Sequence, residues 1–599
     1  MSSASLIRNF CVISHIDHGK TTLTDRFLEI TGAVNKSKLT QRLLDSNPIE
    51  QERGITIKLA PVRLTYRLNT NHYILNLIDT PGHVDFGYEV SRSLAACEGA
   101  ILLVDATQGI QAQTLANAYK ALDANLELVP VINKIDMPNA EIDKVAQELE
   151  EALGFKRDDL LFISAKTGEG VVQLIEEVIK RVPEPGGRGS FDQPLQALVF
   201  NSFYHLHKGV VAYVRLFAGS FRKNEPLMLM SNQHQLVAED LGYFLPAMEP
   251  KSSLQAGEVG FLATGLKDIK LCRVGDTLTS VESPTAKALP GYQEPNPMVF
   301  MDLYPVDNDE FIRLKTAMEK LQLSDSSLSF NAVSSPVLGS GFKVGFQGLL
   351  HADIVQERLE REFDLNLITT SPSVEYQVEL RKNQQVISVF SPSELPDPTL
   401  INQIREPFIK AEVFAPKTYL GAIMALCQNS RGTLTDQQYF GSQVKLTYHL
   451  PLSELVGGFF NQLKSISSGF ASLEWTFLEF RAADIVKLEV MLNRERIDPL
   501  AMLTVRSRAD QLAKLVAAKL KTAIPRQQYE VPIQIALGGK ILARETVKAF
   551  RKDVTAKLYG GDRTRAMKLL EKQKKGKKRL KQVGGIELPQ EVFLTILQQ

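Results

Sequence analysis

The sequence predicts a multidomain α/β and α+β protein, and three observations carry that prediction. Strand-like and helix-like segments alternate up to about Val182, as in a largely parallel α/β domain. Short alternating runs such as Gln196–Phe200, Val210–Leu216 and Gly257–Phe261 follow without helices between them, which predicts a small β-barrel. From Met298 onward a strand, an amphipathic stretch and a further helix follow one another, and a similar β-then-α order returns near 404–430. That repetition predicts two compact α+β sandwiches. At 599 residues, the usual domain size allows about four or five units.

Breaker-rich linkers set the boundaries. Pro183–Ser190 and Pro290–Pro297 are two such stretches, rich in residues that punctuate regular structure. The expected division is 1–186 for the first α/β domain, 191–285 for the barrel, 295–374 and 395–480 for the sandwiches, and 481–599 for a last mixed domain. Apolar and charged fractions of 44% and 23% exclude disordered and fibrous classes. Cys11, Cys97, Cys272 and Cys427 form no C-x-x-C pair and read as reduced core thiols of a cytosol-like compartment. No run approaches the roughly 18–20 apolar residues of a membrane span. The first strand is expected by about residue 8, which leaves no room for a targeting peptide.

Five segments of the first domain carry chemistry. The run Phe10–Ile13 is followed by Ser14-His15-Ile16-Asp17-His18-Gly19-Lys20-Thr21-Thr22 and a helical pattern from Leu23 to Ile30. This strand–loop–helix order cradles a phosphate with backbone N–H groups and a helix N-terminus. Lys20 then reaches the β/γ-phosphates and the Thr21 hydroxyl ligates Mg²⁺. The strand Tyr73–Asp79 runs into Thr80-Pro81-Gly82-His83. Asp79 presents a carboxylate to the magnesium shell, Gly82 an amide to the γ-phosphate, and His83 a side chain to an attacking water. Glu52-Arg53-Gly54-Ile55-Thr56 reads by itself as a surface loop entering a strand. Between the other two segments, it is where a switch would place Thr56 on metal and γ-phosphate.

The remaining two segments read the base. Asn133-Lys134-Ile135-Asp136 ends the buried run Leu128–Ile132. Its Asp136 carboxylate can accept from both N1–H and the N2 amine of guanine, a discrimination that adenine fails. Ser164-Ala165-Lys166 follows Leu160–Ile163, and its backbone amide is placed to meet guanine O6. In this order the five segments predict a P-loop GTPase domain that binds GTP with Mg²⁺.

The formal charge of +1 hides a basic C-terminal region. From Lys540 to Lys581 there are sixteen Lys or Arg and four Asp or Glu, with Lys572, Lys574, Lys575, Lys577, Lys578, Arg579 and Lys581 in one run. Aromatics are sparse there, so phosphate neutralisation fits better than base stacking and makes RNA the expected partner. Anionic lipid headgroups attract such a segment too.

These motifs resemble those of the translational GTPases, whose loops read Ala/Gly-His-x-Asp-His-Gly-Lys-Thr/Ser, Arg-Gly-Ile-Thr and Asp-Thr-Pro-Gly-His. Ser14 is a mild departure at the first loop position. The resemblance implies that His83 positions the hydrolytic water, that Ile16 and Ile55 form an apolar gate, and that Asp17 helps to hold a cation. Leu349-Leu350-His351 with Gln356–Phe363 is similar to the third domain of elongation factor G, and Glu406-Pro407-Phe408 with Tyr419–Met424 to its fifth. Both sandwiches are then ferredoxin-like. Only about 30 residues separate Tyr376 from Glu406, too few for that factor's large fourth domain. Ile524–Gln534, Gly538–Glu545 and Tyr559–Asp562 resemble the specific C-terminal domain of the elongation factor 4 (LepA) family.

That family resemblance implies a ribosome-dependent GTPase, acting as a monomer on the 70S ribosome, its ribosomal RNA and tRNA. Its expected output is one-codon back-translocation under stress. The alternatives are a GTP-timed assembly or initiation factor and a peripheral membrane GTPase. The implied location is cytoplasmic, with some attachment to the inner face of the cell membrane. Asn201–Gly209 and Ser468 depart from the family pattern. His205 and His207 share one strand face, but lack a third metal ligand nearby in sequence.

Overall fold

The computed structural model describes residues 6–34, 43–44, 47–82, 84–185, 193–205, 207–268, 271–285, 287–290, 297–325, 327–335, 338–441, 443–527, 529–550 and 567. The architecture is multidomain α/β and α+β. Its first sheet contains β1 (Ile7–Ser14), β2 (Ala60–Leu68), β3 (Asn71–Asp79), β4 (Gly99–Asp105), β5 (Glu127–Asn133) and β6 (Leu161–Phe162), in the order β2-β3-β1-β4-β5-β6. All neighbours are parallel except the β2–β3 hairpin.

Helices cover both faces, so β1 and β4 are buried along almost their whole length and read as continuous apolar runs. Alternation of side chains sends Phe10 and Val12 to one face and Cys11 and Ile13 to the other. On the first face they meet α1 (Lys20–Ile30) and α6 (Val171–Arg181) through Leu23, Phe27, Leu174 and Val178. On the second they join Val90, Leu115 and Leu149 of α3 (Gly87–Ala95), α4 (Ala112–Asp123) and α5 (Ile142–Leu153). A short helix, α2 (Pro48–Arg53), precedes β2. The functional loops leave the carboxyl ends of β1, β3 and β5, the edge at which open α/β sheets bind ligands.

Strands between Gln196 and Ser280 form an eight-stranded antiparallel sheet with a two-stranded ribbon beside it. Two sandwiches follow. In the first, strands Val299–Pro305, Ser329–Ser335, Gly339–Phe346 and Leu367–Thr369 alternate with α7 (Phe311–Ser324) and α8 (Leu349–Phe363). In the second, strands Ile401–Pro416, Thr433–Phe440, Gln443–Pro451 and Ser472–Ala482 alternate with a helix Leu420–Asn429 and a bent helix over 452–466. Both run βαββαβ, with the fourth strand beside the first, then the third and the second. The hairpin of Tyr376–Leu380 and Val386–Val389 pairs with the start of the 401–416 strand and so joins the second sheet. This hairpin precedes residue 395, where the sequence placed the start of that domain.

A last mixed layer has strands Ile485–Leu492, Met502–Val505, Val531–Leu537 and Lys540–Val547 against the helix Ala509–Ala523. The basic run Lys572–Lys581 lies outside the described residues. All four cysteines are buried and unbridged.

Candidate functional site

Between β1 and α1 the chain turns tightly, with Asp17 at φ 63° and Gly19 at φ 93°. A Cβ at Gly19 would stand 2.5 Å from Asn133 Nδ2, so both backbone angle and space require glycine. Gly19 caps α1 without a side chain, leaving the first-turn N–H groups for an anion. The loop borders a cavity of about 220 Å³ lined by Ser14 to Asp17, Gly19 to Thr22, Gly54, Ile55, Thr56, Gly82 and Lys134. Four segments far apart in sequence therefore meet at one space. The expected gate residues Ile16 and Ile55 both line it.

Lys20 ties this cavity to the end of β3. Lys20 Nζ donates to Thr56 Oγ1 at 2.9 Å and to Asp79 Oδ1 at 3.0 Å. Lys20 and Asp79 are both buried. Thr24 Oγ1 lies 3.4 Å from the same carboxylate oxygen, whereas Asp79 Oδ2 has no hydrogen-bond partner among the described residues. A buried carboxylate oxygen left unpaired is costly, and a bound cation would satisfy it. Thr21 and Thr56 line the cavity, and Asp79 is linked to it through Lys20; together they offer hard oxygen donors of the kind that Mg²⁺ requires. Few protein ligands suffice when phosphates complete the shell. Gly82 passes the loop closely, since a Cβ there would lie 3.7 Å from Ile16 N and Ser14 O. His83 lies outside the described residues.

Side chains from the ends of β4 and β5 tie the Asn133–Asp136 and Ser164–Lys166 segments to the loop. Asn133 Nδ2 donates to His18 O at 2.8 Å, and its Oδ1 accepts from Ala165 N at 2.9 Å. The Ala165 amide is thus committed to Asn133 in this structure. Ser164 is buried, and its Oγ accepts from Thr167 N at 3.1 Å. Lys134, at φ 64°, donates to Asp17 O at 2.6 Å and pairs with Asp105 Oδ2 at 2.7 Å. Ile135 is half-buried, and Asp136 and Lys166 are exposed beside these anchors.

His18 plays a different part from its neighbours. Its side chain is fully buried away from the cavity, with Nδ1 3.3 Å from Leu103 O. Burial, reinforced by nearby His15, pushes its pKa down to about 3 and keeps the ring neutral. Only its backbone carbonyl serves the site, through Asn133.

Two anchoring carboxylates escaped the sequence reading. Asp105 ends the buried strand β4 and orients Lys134; an acid closing an apolar run is the signal that marks it. Glu50 closes a capping box with Asn47 at the start of α2. Its Oε1 also accepts from Ile57 N at 2.9 Å and Lys58 N at 3.2 Å, folding the Thr56 loop back on itself. The E-x-x-x-G-I-T spacing carries no standard motif, so only the fold reveals that role.

Both switch segments lean on α8. Arg53 pairs with Glu357 at 2.6 Å and Glu52 with Arg361 at 2.7 Å, while Asn47 Nδ2 donates to Glu362 Oε1 at 3.3 Å. From the other switch, Asp85 Oδ2 accepts from Leu350 N at 2.9 Å. His205 ends the strand Gln196–His205 and His207 lies in the turn after it, so the two do not share a strand face as the sequence suggested; their rings lie 5.9 Å apart. Among the described residues no cluster of three metal-ligating side chains joins them.

A phosphate loop, two switch segments and a base-binding edge on one α/β domain, followed by two βαββαβ modules, define a GTP hydrolase built like a translation factor. Residues 5–184 match the family model of the elongation factor Tu GTP binding domain, 403–491 the elongation factor G C-terminus, and 492–598 the GTP-binding protein LepA C-terminus. Elongation factor 4 of Acetivibrio thermocellus is 51% identical over 594 residues, 99% of this chain and 98% of that one. Elongation factor 4 of Bacillus subtilis is 49% identical over 595 residues, 99% of this chain and 97% of that one. The chain belongs to the elongation factor 4 family. A crystal structure from Thermus thermophilus has a similar fold, with a TM-score of 0.57 at 18% identity, covering 80% of this chain and 97% of that one.

Proposed function

We propose that this GTPase is activated by the 70S ribosome and moves tRNA and mRNA back by one codon. The observation that carries the hydrolytic part is that Lys20, which lines one small cavity together with Thr56, bonds both Thr56 and Asp79. On GTP binding, Lys20 leaves Asp79 and Thr56 for the β/γ-phosphates, which frees both oxygen donors. Thr21 and Thr56, near Asp79, would hold Mg²⁺, which would supply positive charge to the phosphates when bound. Asn133, Lys134 and Asp136 with the Ser164–Lys166 segment hold the guanine. His83 orients the attacking water, and Ile16 and Ile55 restrict its approach.

Direct succession of the two sandwiches supports the backward output. Residues 370–400 contain a short hairpin in place of a large inserted domain. The basic residues Lys572–Lys581 supply contacts to the phosphate backbone of tRNA or ribosomal RNA. The protein acts as a cytoplasmic monomer, with an anionic membrane surface as a secondary attachment. Among the described residues no helix is long and apolar enough to cross a membrane.

GTP turnover with 70S ribosomes, isolated small subunits and anionic liposomes tests the reading. Turnover should rise with 70S alone, and His83→Ala should remove about 100-fold or more of that rise. Equal stimulation by small subunits would favour an assembly role, and by liposomes a membrane role. Toeprinting on post-translocation ribosomes should show a backward shift that truncation near residue 550 abolishes.

A further inference from the structure

The helix α8 lacks a cap of its own. It starts after Gly348, which has no side chain to offer its first-turn N–H groups. The missing acceptor comes from the GTPase domain, 265 residues earlier in the chain: Asp85 Oδ2 accepts from Leu350 N at 2.9 Å and lies 3.4 Å from His351 N. A carboxylate there is favoured by both the unpaired N–H groups and the helix dipole. Gly348 makes room for it, because a Cβ at that position would stand 2.2 Å from Asp85 Cγ. The backbone angles of Gly348 are extended and open to any residue, so the close approach of Asp85 is what requires glycine.

Further hydrogen bonds surround the seat. His351 is buried, with Nδ1 accepting from Gln347 N at 3.2 Å and Nε2 donating to Asp325 Oδ2 at 2.9 Å. Ser327 Oγ, which donates to the same Asp325, also meets Tyr88 Oη of the switch at 3.2 Å. Gly82 lies against the phosphate loop, and Asp85 is three residues further along. The chain between them can span no more than about 11 Å, so fixing both ends limits where it can go.

We propose that Asp85 is a positioning residue for GTP hydrolysis: seated on the N-terminus of α8, it uses the first sandwich to hold the His83 segment in register. This inference rests on the ribosome-activated reading above. Domain movements that shift α8 then shift the hydrolytic segment directly, without passing through the nucleotide contacts.

The test is single-turnover GTP hydrolysis by the full chain, with and without 70S ribosomes, alongside guanine-nucleotide Kd values. Asp85→Ala and Gly348→Ala should each lower the stimulated rate by about ten-fold or more, as small misplacements of reacting groups do. Nucleotide affinity should stay within about two-fold, because the phosphate and base contacts are untouched. Asp85→Asn should keep the rate within about three-fold, since Asn caps as well as Asp. The Gly348→Ala result matters most, because it disturbs Asp85 from another domain. Wild-type rates in both Ala variants, equal losses of rate and affinity, or faster hydrolysis without ribosomes would each overturn the inference. If ribosomes fail to stimulate the wild type, the ribosome reading fails instead, and the ribosome-free rates must show the same ordering of variants.

Discussion

The two sandwiches share one strand order, but their second helices face different partners. In the first, α8 is a straight 15-residue helix whose start is capped from the GTPase domain and whose length carries ion pairs to α2. In the second, the equivalent helix bends through a π-helical segment at Leu455–Phe459, with Gly458 at φ 99°. Its Glu454 pairs with Arg431 at 2.7 Å and Arg508 at 2.5 Å, joining the second sandwich to the last domain. Between these regions lies a larger cavity of about 1080 Å³, lined by residues from both sandwiches and the last domain. The same topology therefore serves the nucleotide switch in one copy and inter-domain fastening in the other. A helix start made of glycine accepts a cap from elsewhere, whereas the start after Pro451 carries its own acid, Glu454, which binds arginines of the second sandwich and the last domain.

The largest expected effect that would break this contrast is in the second copy. Glu406 is buried and held by two Arg431 contacts at 2.5 and 3.0 Å. Removing one partner of such a pair costs about 3 kcal/mol or more. Glu406→Ala should lower the urea midpoint read from Trp475, the sole tryptophan, which stands in this sandwich. GTP turnover should not change; a fall in turnover would show that the second copy also serves the switch.

The pH dependence sharpens the comparison from the GTPase side. The folded pKa of His18 is depressed to about 3, below an unfolded value of about 6.5. Its stabilising contribution is therefore complete above about pH 6.5 and is lost as pH falls toward the folded value. The expected slope is about 1.4 kcal/mol per pH unit. Between pH 7.5 and 5.5 the unfolding of the GTPase domain, followed by circular dichroism, should move to lower urea. A Trp475 midpoint that moves in step would mean that the regions unfold as one.

Smaller effects follow. Gly458→Ala forces a side chain into a left-handed backbone and should cost about 1–2 kcal/mol, again read at Trp475 with hydrolysis unchanged. Arg361→Ala removes ion pairs to Glu52 and Glu357, the first of them between side chains about half exposed (49% and 58%). The loss of stability should be small and vanish at high salt. A larger loss would mean that the α2–α8 pairs act as a network.

The loop containing Gly19 and Lys20, the Asp79 strand end and the Asn133–Asp136 segment were legible because each is local chemistry: a turn, a helix start and a strand end a few residues apart. Both sandwiches were legible for the same reason, through β-then-α periodicity. What sequence did not reveal depends on chain segments meeting across hundreds of residues. Asp105 beneath Lys134, Glu50 under the Thr56 loop, and the committed Ala165 amide have no motif of their own.

The sequence by itself determined the GTP chemistry, the order of the modules and the basic C-terminal run, because residue type and short spacing specify them. Tertiary structure alone decided that Lys20 pairs with Asp79 and Thr56 and that His18 turns its ring into the core. It also decided that Asp85 caps a helix of another domain. A buried charge or an uncapped helix end must find its partner wherever folding brings one, and no local pattern records which segment that will be.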